Sequence, residues 1–525
     1  MAQSTYRLGV DVGGTNTDAV LIDRNLNVVA EVKLPTTPEI HDGILAAVKA
    51  VLDKSGIDRK LITKAMLGTT QCTNAIVERK RLSRIGILRI GAPATLGIPP
   101  MVDWADELST IAEETAIISG GFEYDGKQLA PLDERAAIDF FENCKRKGIN
   151  SVAISQLFSA VRDDHEVRAE ALCHEIMDGK EPGHEAYVSL SGRIGSMGLI
   201  ERENATILNA ALYEVAKSLT EGFERSLNEQ GVTNAEVYFS QNDGTLMTRE
   251  QARKYPILTI ACGPTNSIRG ASYLSKLSNA VVIDIGGTTT DFGILVNGFP
   301  RESSVAATIG GVRTNFRMPD VISIGLGGGS IIREKGGDIT VGPDSVGYQL
   351  PEKALVFGGD TLTATDIAVK LGLAAIGDPS KVSHIEKEFA ERALVKIVEM
   401  VEDHIEEMKT SSEDVDVVLV GGGSILLPSK IKGAKNLYKP EHFAVANAIG
   451  SAISKVSGTF ERLISYDQTP RDQALELAKN EAIALAVKAG AVKETVEIVD
   501  VEDVPLQYHP GNTCRVKVKA AGELG

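Results

Sequence analysis

Asp11 and Asp284 head two near-identical runs, Asp11-Val-Gly-Gly-Thr-Asn-Thr-Asp18 and Asp284-Ile-Gly-Gly-Thr-Thr-Thr-Asp291, with six of eight positions the same. Self-similarity of this kind marks duplicated structure. Paired glycines let a backbone come close to a phosphate, and the N–H groups and threonine hydroxyls beside them supply donors without a lysine. A carboxylate at the start of each turn suits a divalent cation, and Mg2+ would be held mostly through its own water. The chemistry that fits is capture of a metal polyphosphate. Asp11 and Asp284 are the candidate catalytic and metal-holding residues, and Gly13, Gly14, Thr15, Thr17, Gly286, Gly287, Thr288 and Thr290 are the candidate phosphate contacts. Asp18 and Asp291 are read as orienting the turns. One Asp-x-Gly-Gly alone would equally suit an ordinary hairpin; two copies, each behind an apolar run, favour the phosphate reading.

Gly421, Gly422, Gly423 and Ser424 follow the apolar run 415–420. A glycine turn at the carboxyl end of a buried strand is where a nucleoside can lie on bare backbone, so these four are assigned to adenosine. For the other glycine loop, Ile324-Gly-Leu-Gly-Gly-Gly-Ser330, spacing does not decide between touching phosphate and permitting a tight bend. Thr69, Thr70, Thr73 and Asn74 follow the strand-like Ala65-Met-Leu67. They are candidate substrate contacts, with capping of the next helix as the competing reading. Cys72, in the same segment, is read as an inert buried thiol.

The elements that must position these residues are visible in the hydrophobic pattern. Short apolar runs flank each turn (8–10 and 19–22; 281–283 and 292–296), giving strand, turn, strand twice. Strand-like runs at 151–155 and 415–420 then alternate with helical spacings, as in Ile44, Ala47, Val48, Val51 and Leu52, or Ile385 through Met408. One more helix is expected over 204–229. The expected divisions are 1–200, 201–470 and 471–525, the last a helix and strands packing back on the body.

With 525 residues, 43% hydrophobic and 24% charged, the chain is a folded protein of several domains. A net charge of −16 without a basic cluster argues against nucleic acid as a partner. An anionic ligand must be held against that field by local amides and metal. The five cysteines form no CxxC pair and the eight histidines no ligand spacing. No apolar run reaches about 18 residues and no secretory h-region follows the start, so no membrane span and a cytoplasmic location are expected.

Taken together, the two turns and the late Gly-Gly-Gly-Ser resemble the acetate kinase, sugar kinase, Hsp70 and actin superfamily. That resemblance implies an α/β fold of two ribonuclease-H-like (actin-like ATPase) domains flanking an ATP cleft. More narrowly the chain resembles the hydantoinase A/5-oxoprolinase family. Gly68-Thr-Thr-Gln-Cys-Thr-Asn-Ala75, Gly120-Gly-Phe-Glu-Tyr-Asp-Gly126, Pro131-Leu-Asp133, Gly263-Pro264, Ser323-Ile-Gly-Leu-Gly-Gly-Gly-Ser330, Val341-Gly-Pro-Asp-Ser345 and Thr363-Ala-Thr-Asp366 fall in that family's order. The implied activity is ATP- and Mg2+-dependent opening of a cyclic amide, such as a hydantoin, 5-oxoproline or a lactam, through a phosphorylated amide. Where the family continues Pro-Gly-Pro-Ala-Cys-Tyr-Gly, this chain has Tyr348-Gln-Leu-Pro-Glu-Lys-Ala-Leu-Val356, which leaves the substrate pocket unassigned. Many relatives are longer and act with a second hydrolase subunit, so a partner is implied, and the oligomeric state stays open. Two other readings compete: a small-molecule kinase of the same superfamily, and an ATP-driven reactivase or chaperone-like protein.

Overall fold

The computed structural model describes residues 5–37, 40–179, 185–195, 197–303, 307–316, 318–506 and 511–525. Each duplicated motif is a hairpin. Strand Tyr6–Val12 turns into the antiparallel strand Asn16–Asp23, and strand Ala280–Ile285 turns into Thr290–Val296. A third antiparallel strand completes each meander, Val28–Pro35 in one and Phe299–Pro300 in the other. On the far side of the first strand lie two parallel ones: Ile62–Thr69 and Glu236–Ser240 in the first sheet, Val415–Val420 and Ala434–Tyr438 in the second. Both sheets therefore carry the order third, second, first, fourth, fifth, with the same directions. This is the ribonuclease-H-like arrangement, present twice.

The strands read as nearly continuous apolar runs because both faces of each sheet are covered. Leu8, Val10, Ala19 and Leu21 pack on the outer helix Ile40–Ser55, while Val20 and Ile22 face the helix Ala446–Ile453. In the second sheet Val281 and Ile283 face the outer helix Lys387–Met408, and Ala280 and Val282 face the helix Cys262–Ser275. A period of two then decides where the chemistry goes. Asp11 and Asp284 lie on the inner face of their sheets, toward those two helices.

The helices Cys262–Ser275 and Ala446–Ile453 cross each other between the lobes at backbone distance. A Cβ at Gly270 would stand 2.0 Å from the Ala446 carbonyl oxygen, and one at Gly450 would stand 1.9 Å from that of Asn266. Gly9 gives the same clearance against Ala448, 2.4 Å from its carbonyl oxygen. Glycine is required at these positions for closeness alone.

A four-stranded parallel sheet (Ala112–Ser119, Ile85–Ala92, Ser151–Gln156, Tyr187–Leu190) is inserted between the fourth and fifth strands of the first sheet. It is held by the helix Leu199–Ala211, whose Glu203 makes a two-pronged, fully buried ion pair with Arg89. The single helix expected over 204–229 is two, Leu199–Ala211 and Tyr213–Glu229, divided at Leu212. Beyond Leu246–Thr248, the first sheet continues through Val456–Ser465, Thr513–Gly522 and Glu497–Pro505. The helix Arg471–Lys488 covers this extension with a ladder of Ala474, Ala478, Ala482 and Ala486. The last strand also reaches the other lobe, where Lys517 pairs with Glu302 at 3.1 Å, while Lys519 pairs with Asp243 of its own lobe at 2.7 Å. No helix among the described residues is long and apolar enough to cross a membrane.

Gly450→Ala is expected to destabilise the protein by about 1–3 kcal/mol, because the added methyl overpacks the crossing. Gly14→Ala, whose Cβ would meet nothing within 4 Å, is expected to stay within about 0.5 kcal/mol of the parent. Denaturant midpoints of the two variants check the contrast.

Candidate active site

Each hairpin sets its two aspartates directly opposite one another: Asp11 pairs with Asp18 and Asp284 with Asp291. Cross-strand partners share a face, so each turn carries two carboxylates side by side, an arrangement that repels. Burial sharpens the repulsion, with Asp11 and Asp18 each 5% exposed and Asp284 8% exposed. The Asp11 carboxyl is pushed up to about 7, first by burial and then by the charges of Asp18 and Asp284, with a hydrogen bond from Asn266 opposing. Asp291 is pushed up to about 7 by burial and by Asp284. Asp18 and Asp284 are raised by burial as well.

The crossing helix Cys262–Ser275 serves both turns from adjacent residues. Asn266 Nδ2 donates to Asp11 Oδ1 at 3.1 Å, and the Ser267 hydroxyl donates to Asp284 Oδ2. Asn447, on the other crossing helix, stands 2.7 Å from the Ser267 hydroxyl through its Oδ1. Gly68 lies beside Asp11 in the parallel strand, and only its missing side chain leaves room: a Cβ there would be 2.2 Å from Asn266 Nδ2 and 2.4 Å from Asp11 Oδ1. Lys33 bonds both Asp18 oxygens, at 2.8 and 2.7 Å, and reaches the Ala444 carbonyl of the other lobe at 3.1 Å.

The turns themselves meet tip to tip. Thr15 Oγ1 and Thr288 Oγ1 are 2.9 Å apart, and a Cβ at Gly287 would lie 2.5 Å from Thr15 Cγ2. The N–H of Gly13 closes its own turn onto Asn16 O at 3.0 Å, and that of Gly286 closes onto Thr289 O at 2.9 Å. Among the described residues the next two N–H groups of each turn, Gly14 and Thr15, Gly287 and Thr288, have no protein acceptor. The donors left open at each turn are thus those of the second glycine and the threonine. Thr17 and Thr290 are placed as braces. They sit on the opposite strand face from Asp18 and Asp291, are fully buried, and hydrogen bond with Thr36 Oγ1 and Leu326 O respectively.

Gly421 is packed against Asp284, where a Cβ would be 2.1 Å from Oδ1, and its φ of +82° suits glycine. Gly422 faces Lys33, and Gly423 packs on the Gly286 carbonyl oxygen. The Ser424 hydroxyl is buried and donates to Val420 O at 2.5 Å, so it ties the turn down instead of facing a ligand. The 324–330 loop supports the second turn from behind: Gly328 N and Gly329 N donate to Gly286 O and Gly287 O at 3.0 and 2.7 Å. Thr69 is buried and its hydroxyl accepts from Gln71 N, a helix-start contact. Thr70, Thr73 and Asn74 are half-buried beside it. Thr70 N donates to Val12 O, Asn74 Nδ2 to Thr70 Oγ1, and Ala261 N to Thr73 Oγ1.

Among the described residues, no three His, Cys, Asp or Glu side chains stand close enough to hold a metal by themselves. The carboxylates nonetheless fit a hydrated cation. Their raised affinity for protons marks a shortage of positive charge, and Asn266 Oδ1 is buried without a partner, an acceptor that a metal-bound water could serve.

Two family descriptions match this chain, "Hydantoinase/oxoprolinase N-terminal region" over residues 7–177 and "Hydantoinase/oxoprolinase" over 202–408. The chain belongs to the hydantoinase/oxoprolinase family. Relatives include the caprolactamase subunit alpha of Pseudomonas jessenii, 28% identical over 72% of this chain and 56% of the relative. The acetophenone carboxylase gamma subunit of Aromatoleum aromaticum is 27% identical over 70% of this chain and 53% of its own length. The chain thus spans about half the length of these relatives. The crystal structure of an ATP-dependent caprolactamase from Pseudomonas jessenii superposes on 99% of this chain and 88% of its own, with a TM-score of 0.74 and 21% identity. The fold is shared, including the two ribonuclease-H-like lobes.

The crowded carboxylates have a consequence for pH. Asp11 and Asp291 hold protons more tightly folded than unfolded, so their contribution to stability is complete below about pH 4 and is lost as the pH rises through about 7. The nucleotide-free protein is expected to melt at a lower temperature at pH 8 than at pH 6, and Asp11→Asn should flatten that decline. Mg2+ should recover part of the loss at pH 8. Thermal melts across pH 5–9 test this, and a parent profile already flat over that range would contradict it.

Proposed function

We propose that this chain uses Mg-ATP to open a cyclic amide, working as one subunit of a larger enzyme. The observation that carries the reading is the meeting of two duplicated turns, each offering a pair of acceptor-free N–H groups above buried, mutually repelling carboxylates. The named relatives support it, since a lactam and an aryl ketone both present a carbonyl oxygen. An amide carbon is a poor electrophile, and Mg-ATP supplies a phosphoryl group that turns the amide oxygen into a leaving group for attack by water.

The residues of this chain divide the work. The N–H groups of Gly14, Thr15, Gly287 and Thr288 cradle phosphate oxygens from opposite lobes, and fixed donors of this kind stabilise charge as it develops. The Thr15–Thr288 contact parts to admit the polyphosphate. Asp11 and Asp284 would hold a hydrated Mg2+, and Asn266, Ser267 and Asn447 fix their carboxylate oxygens. Gly421 to Gly423 leave a bare backbone for the nucleoside. Thr70, whose N–H bonds Val12 O at the end of the first strand, and Thr73 and Asn74 beside it are the contacts proposed for the carbonyl substrate. The attack of water is assigned to a partner subunit, a reading that the subunit names of the relatives support.

Phosphate release should rise when ATP is combined with a responsive member of a panel of hydantoins, lactams and 5-oxoproline, assayed with and without the product of a neighbouring gene. Ring-opened acid plus free phosphate is expected; a stable phosphorylated product would instead mark a kinase, and turnover stimulated only by a protein would mark a reactivase. Asp284→Asn should lower turnover by about 100-fold or more, the scale on which preorganised charge stabilisation acts.

A further inference from the structure

A cavity of about 540 Å3 opens between the helices Ile40–Ser55, Gln71–Val77 and Tyr213–Glu229, a size ordinary for a small-molecule site. Its floor is apolar, formed by Ile44, Val215, Leu219 and Phe223. Its polar lining includes Gln71, Arg81 and Glu214. None of these residues belongs to the phosphate site.

Gln71 is 7% exposed, and its amide oxygen accepts from the Arg81 guanidinium at 3.0 Å. A guanidinium can only donate, so the oxygen must face Arg81, and the Gln71 N–H2 group is the part left over. Among the described residues that group has no acceptor, and Gln71 borders the cavity. Arg81 has no carboxylate partner among the described residues, although Arg79 two residues earlier is paired with Glu107. The Gln71 amide N–H2 and an Arg81 guanidinium that lacks a carboxylate thus stand together on the cavity wall, above its apolar floor. A carboxylate satisfies both.

Glu214 lines the same cavity and forms no ion pair among the described residues. A plain carboxylate would meet this like charge as well as the net charge of −16 of the whole chain. A ligand that also bears an ammonium group carries no net charge and gives Glu214 a partner. We propose that this cavity binds an aliphatic amino acid, its carboxylate on Arg81 and Gln71, its ammonium toward Glu214 and its methylenes on the apolar floor. Ring opening of a lactam yields a compound of this class. To that extent the identity of the natural ligand rests on the proposed function, whereas the geometry stands without it. The site also has a route to the turn: Gln71 is the first residue of a helix whose preceding residue, Thr70, donates its N–H to Val12 O at the end of the first strand.

Calorimetric titration of the ATP-free full chain with 6-aminohexanoate, hexanoate, hexylamine and 1-hexanol tests the assignment. One 6-aminohexanoate is expected per chain, with hexanoate weaker by about fivefold or more and the other two silent. Arg81→Met should weaken 6-aminohexanoate by about tenfold or more with at most a small fall in melting temperature, from the lost contact to Gln71. Gln71→Leu should weaken it too, and Glu214→Gln should abolish the preference over hexanoate. Equal binding of hexanol, or unchanged affinity in Arg81→Met, would overturn the proposal. Asp284→Asn should leave the titration unaltered. A chain that binds the amino acid yet opens no cyclic amide would therefore refute the catalytic reading alone, and one that opens the ring without binding would refute this one alone.

Discussion

Four carboxylates are forced together because a hairpin with this turn length sets its first and last aspartate opposite each other, and the fold then brings two such hairpins face to face. Like charges in a buried place are tolerated only with compensation. Much of the surrounding structure supplies it. Lys33 neutralises Asp18, Asn266 and Ser267 reach one aspartate in each lobe, and Gly68 and Gly421 remove side chains that would occupy the carboxylates' space. What remains uncompensated is a demand for a cation, and that demand sits below four N–H groups suited to phosphate.

The hairpins were legible in the sequence because the information is local: eight residues, repeated, between apolar runs. Lys33 was legible in principle, since register counted outward from the turn pairs it with Asp18. Asn266, Ser267 and Asn447 gave no such signal. Their helices are far away in the chain, and what brings them to the aspartates is a crossing made possible by Gly270 and Gly450, which look like ordinary small residues in a linear reading. The same distance hid the composition of the first sheet, which gathers strands from 6–69, 236–248 and 456–522. Motif spacing treats Thr15 and Thr17 as equivalent, but strand alternation sends Thr17 to the outer helix face and leaves Thr15 at the tip.

Family membership and geometry speak to different questions here. The family descriptions reach residue 408, whereas Gly421, Asn447 and the strands that close the first sheet all lie beyond it. The surroundings of Asp284 are therefore completed by a part of the chain outside the matched regions. The inserted parallel sheet, held by the buried Arg89–Glu203 pair, adds a third body beside the two lobes. A desolvated ion pair of this kind is weak evidence for stability, yet its two-pronged geometry fixes orientation.

The glycine crossing has a mechanical meaning. Where two helices touch through carbonyl oxygens and Cα atoms, few side chains interlock to resist rotation, so that contact is a fulcrum and each lobe a lever arm. Asn266 and Ser267 ride on it, which keeps Asp11 and Asp284 near the axis, where a small swing displaces them least. The threonine tips lie out along the arms. The same swing that opens a gap between them can leave the carboxylate centre almost undisturbed.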